Sequence, residues 1–212
     1  MKKIVLASIS NILMIVLPLL GNPALMLNGK ILFIIVGSIC MWLTQPPVSM
    51  KETSDKKSSD RFSVVLILLM SLVSVVVPVA DWAYFSGHNS SVTLFTFLGI
   101  LMIVTGISFR AWAVNSLGKY FTATVQIKED HKLVKTGPYR IVRHPSYTGA
   151  FLAIIAGGVI LESLAGFIIS CTAMIIAYYV RIGIEEKELV ARFGNDYLAY
   201  KKDTKMIIPY VF

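Results

Sequence analysis

GPYRIVRHPSY, residues 137–147, runs directly into an apolar block from Thr148 to Val180, and this junction decides how the chain is read. Its eleven residues hold two prolines, two arginines and three titratable rings, Tyr139, His144 and Tyr147. HKLV, at His131–Val134, stands just before it. Long apolar segments lie on both sides. Polar, proline-stiffened backbone between such segments is costly unless it meets water or lines a protected cavity. The stretch therefore reads as a ligand-gripping loop at the edge of a membrane bundle.

Composition supports the membrane half of that reading. Of 212 residues, 56% are apolar and 15% charged, against roughly 25% charged in soluble domains. A helical span needs about 20 mostly apolar residues, and the candidates are Ile4–Leu20, Ile31–Thr44, Phe62–Ala80, Val92–Val114 and the block Thr148–Val180. The last is too long for one crossing and barely long enough for two. Glu162-Ser163 breaks it, so a tight helical hairpin is expected. The predicted fold class is all-α, a polytopic integral membrane helical bundle of five to six spans with a C-terminal helical hairpin and a cytoplasmic cofactor pocket. The basic head and long apolar body at the start read as an uncleaved first span rather than a signal peptide.

With both termini cytoplasmic, all of the twenty Lys and Arg except Lys30 and Arg110 fall on the cytoplasmic side. Lys30 falls outside and Arg110 within the fourth span, in keeping with the positive-inside rule. The net charge of +8 is thus a topology signal, and no nucleic-acid partner is implied. Cys40 and Cys171 sit inside apolar runs and read as inert buried thiols. The organisation expected is 1–91 as N-terminal spans and 92–212 as a core. The core comprises a span, a loop over 115–147, a hairpin over 148–180 and a cytoplasmic helix over 181–212. Within the loop, Ala123–Ile127 reads as a short extended piece, and the helix after the last span is expected to run on through Arg181–Tyr200.

Two clusters can carry chemistry. Arg181 and Glu185 are four apart and share a helix face, with Glu186 beside them. A snorkelling topology arginine is the plain alternative. Charged groups at membrane depth cost at least ~2.5–3.5 kcal/mol each and usually face a cavity or a partner. The second cluster is Arg143, His144 and Tyr147, with Tyr139 upstream and Pro138 and Pro145 restricting the backbone. No Gly-rich phosphate loop is present, which disfavours nucleotide folds. Neither HExxH nor a Cys/His set occurs, so no metal is indicated. Ser146 has no Asp/His partner set for a serine hydrolase.

The ordered set HxLV, GPY, RHPSY, RxxxEE and FGxxYxxYK, spread over roughly Leu98–Pro209, resembles the isoprenylcysteine carboxyl methyltransferase family and its wider phospholipid methyltransferase-like relatives. The resemblance implies S-adenosyl-L-methionine-dependent methyl transfer at the cytoplasmic membrane face. It implies a lipophilic or prenylated acceptor and membrane lipid as partners. Carried over, His131, Lys132, Leu133 and Val134 hold the adenosyl end of the cofactor, and Gln126 matches a cofactor-contacting glutamine. Tyr139, Arg143, His144, Pro145, Ser146 and Tyr147 line the remainder. Glu185 meets the cofactor, Arg181 the acceptor, and Glu186 is a neighbouring candidate. A carboxylate acceptor, as at a prenylcysteine C-terminus, fits Arg181. A lipid headgroup amine or a small thiol, a nicotinamide-dependent reductase on a related scaffold, and a non-enzymatic membrane protein or transporter are the alternatives.

Overall fold

The computed structural model describes residues 2–45, 58–121 and 132–208. The described residues are helical, apart from turns and an isolated parallel bridge between Val142 and Lys205. Helix α1, Lys2–Asn11, continues through a π turn at Ile12–Val16 into a 3₁₀ turn at Leu17–Leu19. The Leu17 N–H reaches back to the Ile12 carbonyl. The register change falls where Pro18 has no N–H to offer.

Helix α2, Gly29–Leu43, is capped by the Asn28 side chain, which accepts from the Lys30 N–H at 2.9 Å. Helices α3, Ser58–Tyr84, and α4, Leu94–Leu117, follow, α4 opening with a Thr93/Thr96 capping box. Helix α5, Pro145–Ile160, has proline at its first position, where the missing N–H is harmless. Helix α6, Leu164–Phe193, starts on a Ser163 cap, and α7 is Asn195–Asp203.

Arg61–Tyr84, Leu94–Tyr120 and Leu164–Phe193 are long and apolar enough to cross a membrane, and Lys3–Leu19, Gly29–Leu43 and Pro145–Ile160 are shorter apolar helices. Their apolar side chains outside the bundle, such as Leu69, Phe97 and Ile175, are exposed, as suits a lipid-facing wall. The chain is an integral membrane protein. The C-terminal region departs from expectation. The helix expected over Arg181–Tyr200 ends at Phe193, because Gly194 takes φ 53°, a left-handed stop that glycine adopts without strain. The chain then turns into α7, so the C-terminal part is two helices. The expected extended piece Ala123–Ile127 lies outside the described residues.

Helices α4 and α5 form the most extensive helix pair, followed by α3 and α6. Close approach of α4 and α5 depends on glycine against glycine. A Cβ on Gly106 would stand 2.6 Å from the Gly149 carbonyl oxygen, and one on Gly149 2.4 Å from that of Gly106. Small residues let membrane helices meet backbone to backbone. This crossing brings Arg110 of α4 over the first turn of α5.

At the opposite end of the bundle, Lys30 binds Glu162 at 2.6 Å. Glu162 also accepts from Thr93 at 3.0 Å, while Ser163 donates to Asp81 at 2.6 Å. The knot ties the start of α2, the end of α3, the start of α4 and the α5–α6 turn. Lys30 has a fully buried side chain, so Glu162→Ala strands its ammonium. We expect a loss of about 3 kcal/mol, the low end for a buried pair because the Glu162 side chain is 27% exposed. The hydrogen bond from Lys30 holds the Glu162 carboxyl below its ordinary 4.5. Its stabilisation is therefore full above about pH 4.5 and fades as the pH falls through the lowered value. Thermal unfolding of both proteins in detergent should show a gap at pH 7 that narrows at pH 3.

Candidate active site

The loop before α5 is held from three directions. The Arg143 N–H donates to the Lys205 carbonyl at 2.8 Å and the His144 N–H to that of Met206 at 3.1 Å. Thr148 Oγ1 donates to the Ile207 carbonyl at 2.7 Å. From α7, the Tyr200 hydroxyl donates to the Tyr139 carbonyl at 2.6 Å. From α6, Glu186 accepts from Arg143 Nε at 2.9 Å, stands 3.3 Å from His144 Nε2, and accepts a short hydrogen bond from Lys201 Nζ. Arg143 also donates to the Lys201 and Thr204 carbonyls. The segment after Gly194 is thus folded against the protein's own loop, with Tyr197 and Tyr200 buried.

One residue before Glu186, the chemistry changes. Glu185 accepts from the Tyr147 hydroxyl at 2.9 Å and lies 3.9 Å from His144 Nδ1. The same Tyr147 oxygen accepts from Arg181 Nε at 3.3 Å, and Arg181 Nη1 donates to Ser63 Oγ of α3 at 2.9 Å. Arg181, Tyr147 and Glu185 therefore form one chain of hydrogen bonds across α5 and α6. Rings crowd around it: Tyr147 packs on Tyr178 at 5.0 Å between centroids and on His144 at 5.9 Å.

These groups face a cavity of about 560 Å³. Leu133, Val134, Tyr139, Arg143, His144, Ser146, Tyr147, Arg181 and Glu185 line it. Among the residues expected at the site, Lys132, Pro145 and Glu186 do not line it. Lys132 is exposed, Pro145 serves as the first residue of α5, and Glu186 is buried among Arg143, His144 and Lys201. Gln126 and His131 lie outside the described residues. Away from the polar end the cavity becomes apolar, walled by α1–α3 with Met14, Ile34, Met41, Ile67 and Val75, and closed near Pro78, Val79 and Leu161.

Sequence reasoning did not assign Arg110, Tyr178, Tyr197 or Tyr200 to this wall. Arg110 is 5% exposed; its Nη1 donates to Ser146 Oγ at 2.6 Å and the Ser146 carbonyl at 3.0 Å, and its Nε to Thr44 at 3.0 Å. A signal for it existed, since an arginine inside an apolar span is expected to face a pathway or cavity. Burial, reinforced by the nearby Glu185 charge, pushes the Tyr139 phenol well above the ordinary tyrosine range. Burial likewise pushes Tyr200 up to about 12. Both stay protonated donors at neutral pH.

A helical membrane bundle whose ionisable groups converge on one end of an otherwise apolar internal cavity is the class that fold and site define. Residues 98–191 match the model of the isoprenylcysteine carboxyl methyltransferase (ICMT) family. Protein-S-isoprenylcysteine O-methyltransferase B of Arabidopsis thaliana is 32% identical over 68% of this chain and 73% of its own length. The Saccharomyces cerevisiae protein-S-isoprenylcysteine O-methyltransferase is 33% identical over 58% of this chain, and the Homo sapiens one 31% identical over 68%. The chain spans about half the length of these last two, 53% and 54%. A solved structure of the eukaryotic intramembrane Ras methyltransferase ICMT, without a monobody, superposes with a TM-score of 0.64 at 22% identity, over 99% of this chain and 75% of the other. The chain belongs to the isoprenylcysteine carboxyl methyltransferase family.

Proposed function

We propose that the protein is an S-adenosylmethionine-dependent methyltransferase that esterifies the carboxylate of a prenylcysteine-type acceptor at the cytoplasmic membrane face. The observation that carries this reading is the two-part cavity, with Glu185, His144, Tyr147, Arg181 and Arg110 at one end and a long apolar wall at the other. The bundle is read as five to six spans, α5 and α6 forming the hairpin, with both termini cytoplasmic. Residues 92–212 carry Arg110, Arg143, His144, Arg181 and Glu185 on this wall, and 1–91 share the apolar lining with them.

The donor set fits the cofactor, which supplies an electrophilic methyl on a sulfonium. Glu185, oriented by the Tyr147 hydroxyl, suits an ammonium, and His144 and Tyr139 can donate to a carboxylate. Leu133 and Val134 offer backbone groups and apolar contact on the same wall. The electron-rich faces of Tyr147 and Tyr178 favour a positive centre nearby. An acceptor carboxylate is already anionic at neutral pH and needs no general base. Arg181 and Arg110 are the cationic groups that can hold and aim it. Positioning and exclusion of water from this buried end then provide most of the rate.

A prenyl chain need not leave lipid to enter. The lipid-side groove between α2 and α4 is separated from the main cavity only by the Gly37–Ile103 contact, and this reading assigns the lateral route to that seam. Purified protein incubated with methyl-labelled S-adenosylmethionine and N-acetyl-S-farnesylcysteine should give a base-labile methyl ester. Absence of label in the ester, with binding of both ligands intact, would refute the reading.

A further inference from the structure

Helix α5 carries three glycines, and two of them have a packing reason. Gly149 lies against Gly106 and Arg110, and a Cβ on Gly158 would stand 2.7 Å from the Phe167 Cα. A Cβ on Gly157 would meet no atom within 4 Å. Glycine inside a helix is unfavourable relative to alanine, so a position without a packing reason needs another. Gly157 lines the cavity on the face of α5 that also presents Tyr147 and Ala150 to it. The helical rise places it roughly 15 Å beyond Tyr147, at 1.5 Å per residue. One turn further Leu161, 1% exposed, closes the space together with Val79.

Building on the carboxyl-methylation reading, we infer that Gly157 determines how long an acceptor chain the cavity admits. The missing side chain leaves open the last stretch of apolar space before Leu161, where the far end of a prenyl chain would lie. A Cβ at 157 enters that space without meeting a neighbour, and a longer side chain carried on it shortens the channel roughly 15 Å from Tyr147, well away from the polar end. The prediction is a change in chain-length preference with no change in chemistry.

The test uses the full-length protein and N-acetylcysteine thioethers bearing C10, C15 and C20 prenyl chains. Gly157→Leu should lower kcat/KM for the C20 acceptor, relative to the C10 acceptor, by at least about tenfold. The loss should lie mainly in KM, with the cofactor Kd unchanged. Gly157→Val should give an intermediate cut-off and keeps the test available if Gly157→Leu fails to fold. Unaltered C20/C10 ratios, or equal loss for every length in a folded variant, would overturn the assignment. Thermal-shift titration with the same thioethers reads the cut-off without turnover. A wild-type protein that binds the series and methylates none of it refutes the methyltransferase reading. A variant with the wild-type length profile in binding refutes the role of Gly157.

Discussion

Replacing Arg181 with alanine is expected to lower kcat/KM by about 10²–10³-fold, the range for removing one preorganised charge-stabilising donor. The Kd for S-adenosylmethionine should stay within about threefold, because a contact made to one ligand only does not alter affinity for the other. The geometry supports this division. Arg181 is 4% exposed and sits on the cavity wall, held by Tyr147 on one side and Ser63 on the other. A planar, fixed guanidinium can take an acceptor carboxylate through paired hydrogen bonds. Arg181→Lys keeps the charge and loses the fork, so it should recover only part of the rate. Single-turnover kinetics beside cofactor-binding calorimetry separate the two readouts. A cofactor Kd weakened in step with kcat/KM would instead make Arg181 a cofactor ligand.

Much of the site was legible in the sequence, and the boundary of legibility follows the physics. RxxxE on an expected helix and RHPSY in a proline-stiffened loop are local patterns, and local backbone geometry fixes their faces. The structure brings Arg181, Tyr147 and Glu185 into one hydrogen-bonded chain and sets His144 3.9 Å from Glu185. What no local pattern encodes is contact between distant segments. Arg110 meets Ser146 only because Gly106 and Gly149 let α4 and α5 touch. Tyr200 reaches Tyr139 only because Gly194 turns the chain back. A lone arginine in a span and a glycine in an amphipathic run were visible, but their partners were not. Lys30, expected on the outer side, is buried against Glu162, a pairing 132 positions apart that no local pattern announces.

The acidic pair should separate into two different failures. Glu186 faces away from the cavity, 7% exposed, with Arg143, His144 and Lys201 around it. Glu186→Gln removes the charge that compensates a buried guanidinium, so the expected cost is about 3–5 kcal/mol. For a chain of this size that is a fall in melting temperature of roughly 6–20 °C. Site occupancy suffers indirectly, because Arg143 and His144 set the entry to α5. Glu185 borders the open space and engages Tyr147 and His144, neither of which needs its charge to remain buried. The Glu185 side chain is 31% exposed against 8% for Glu186, and Gln keeps an acceptor oxygen for the Tyr147 hydroxyl. Glu185→Gln should therefore cost about 1 kcal/mol and lower the melting temperature by no more than about 4 °C. It should weaken S-adenosylmethionine binding by at least about tenfold through the lost charge on the ammonium. Melting curves and calorimetry on the two variants give opposite patterns under this assignment. If Glu186→Gln melts like the parent and binds cofactor poorly, then the second carboxylate, not the first, is the ligand.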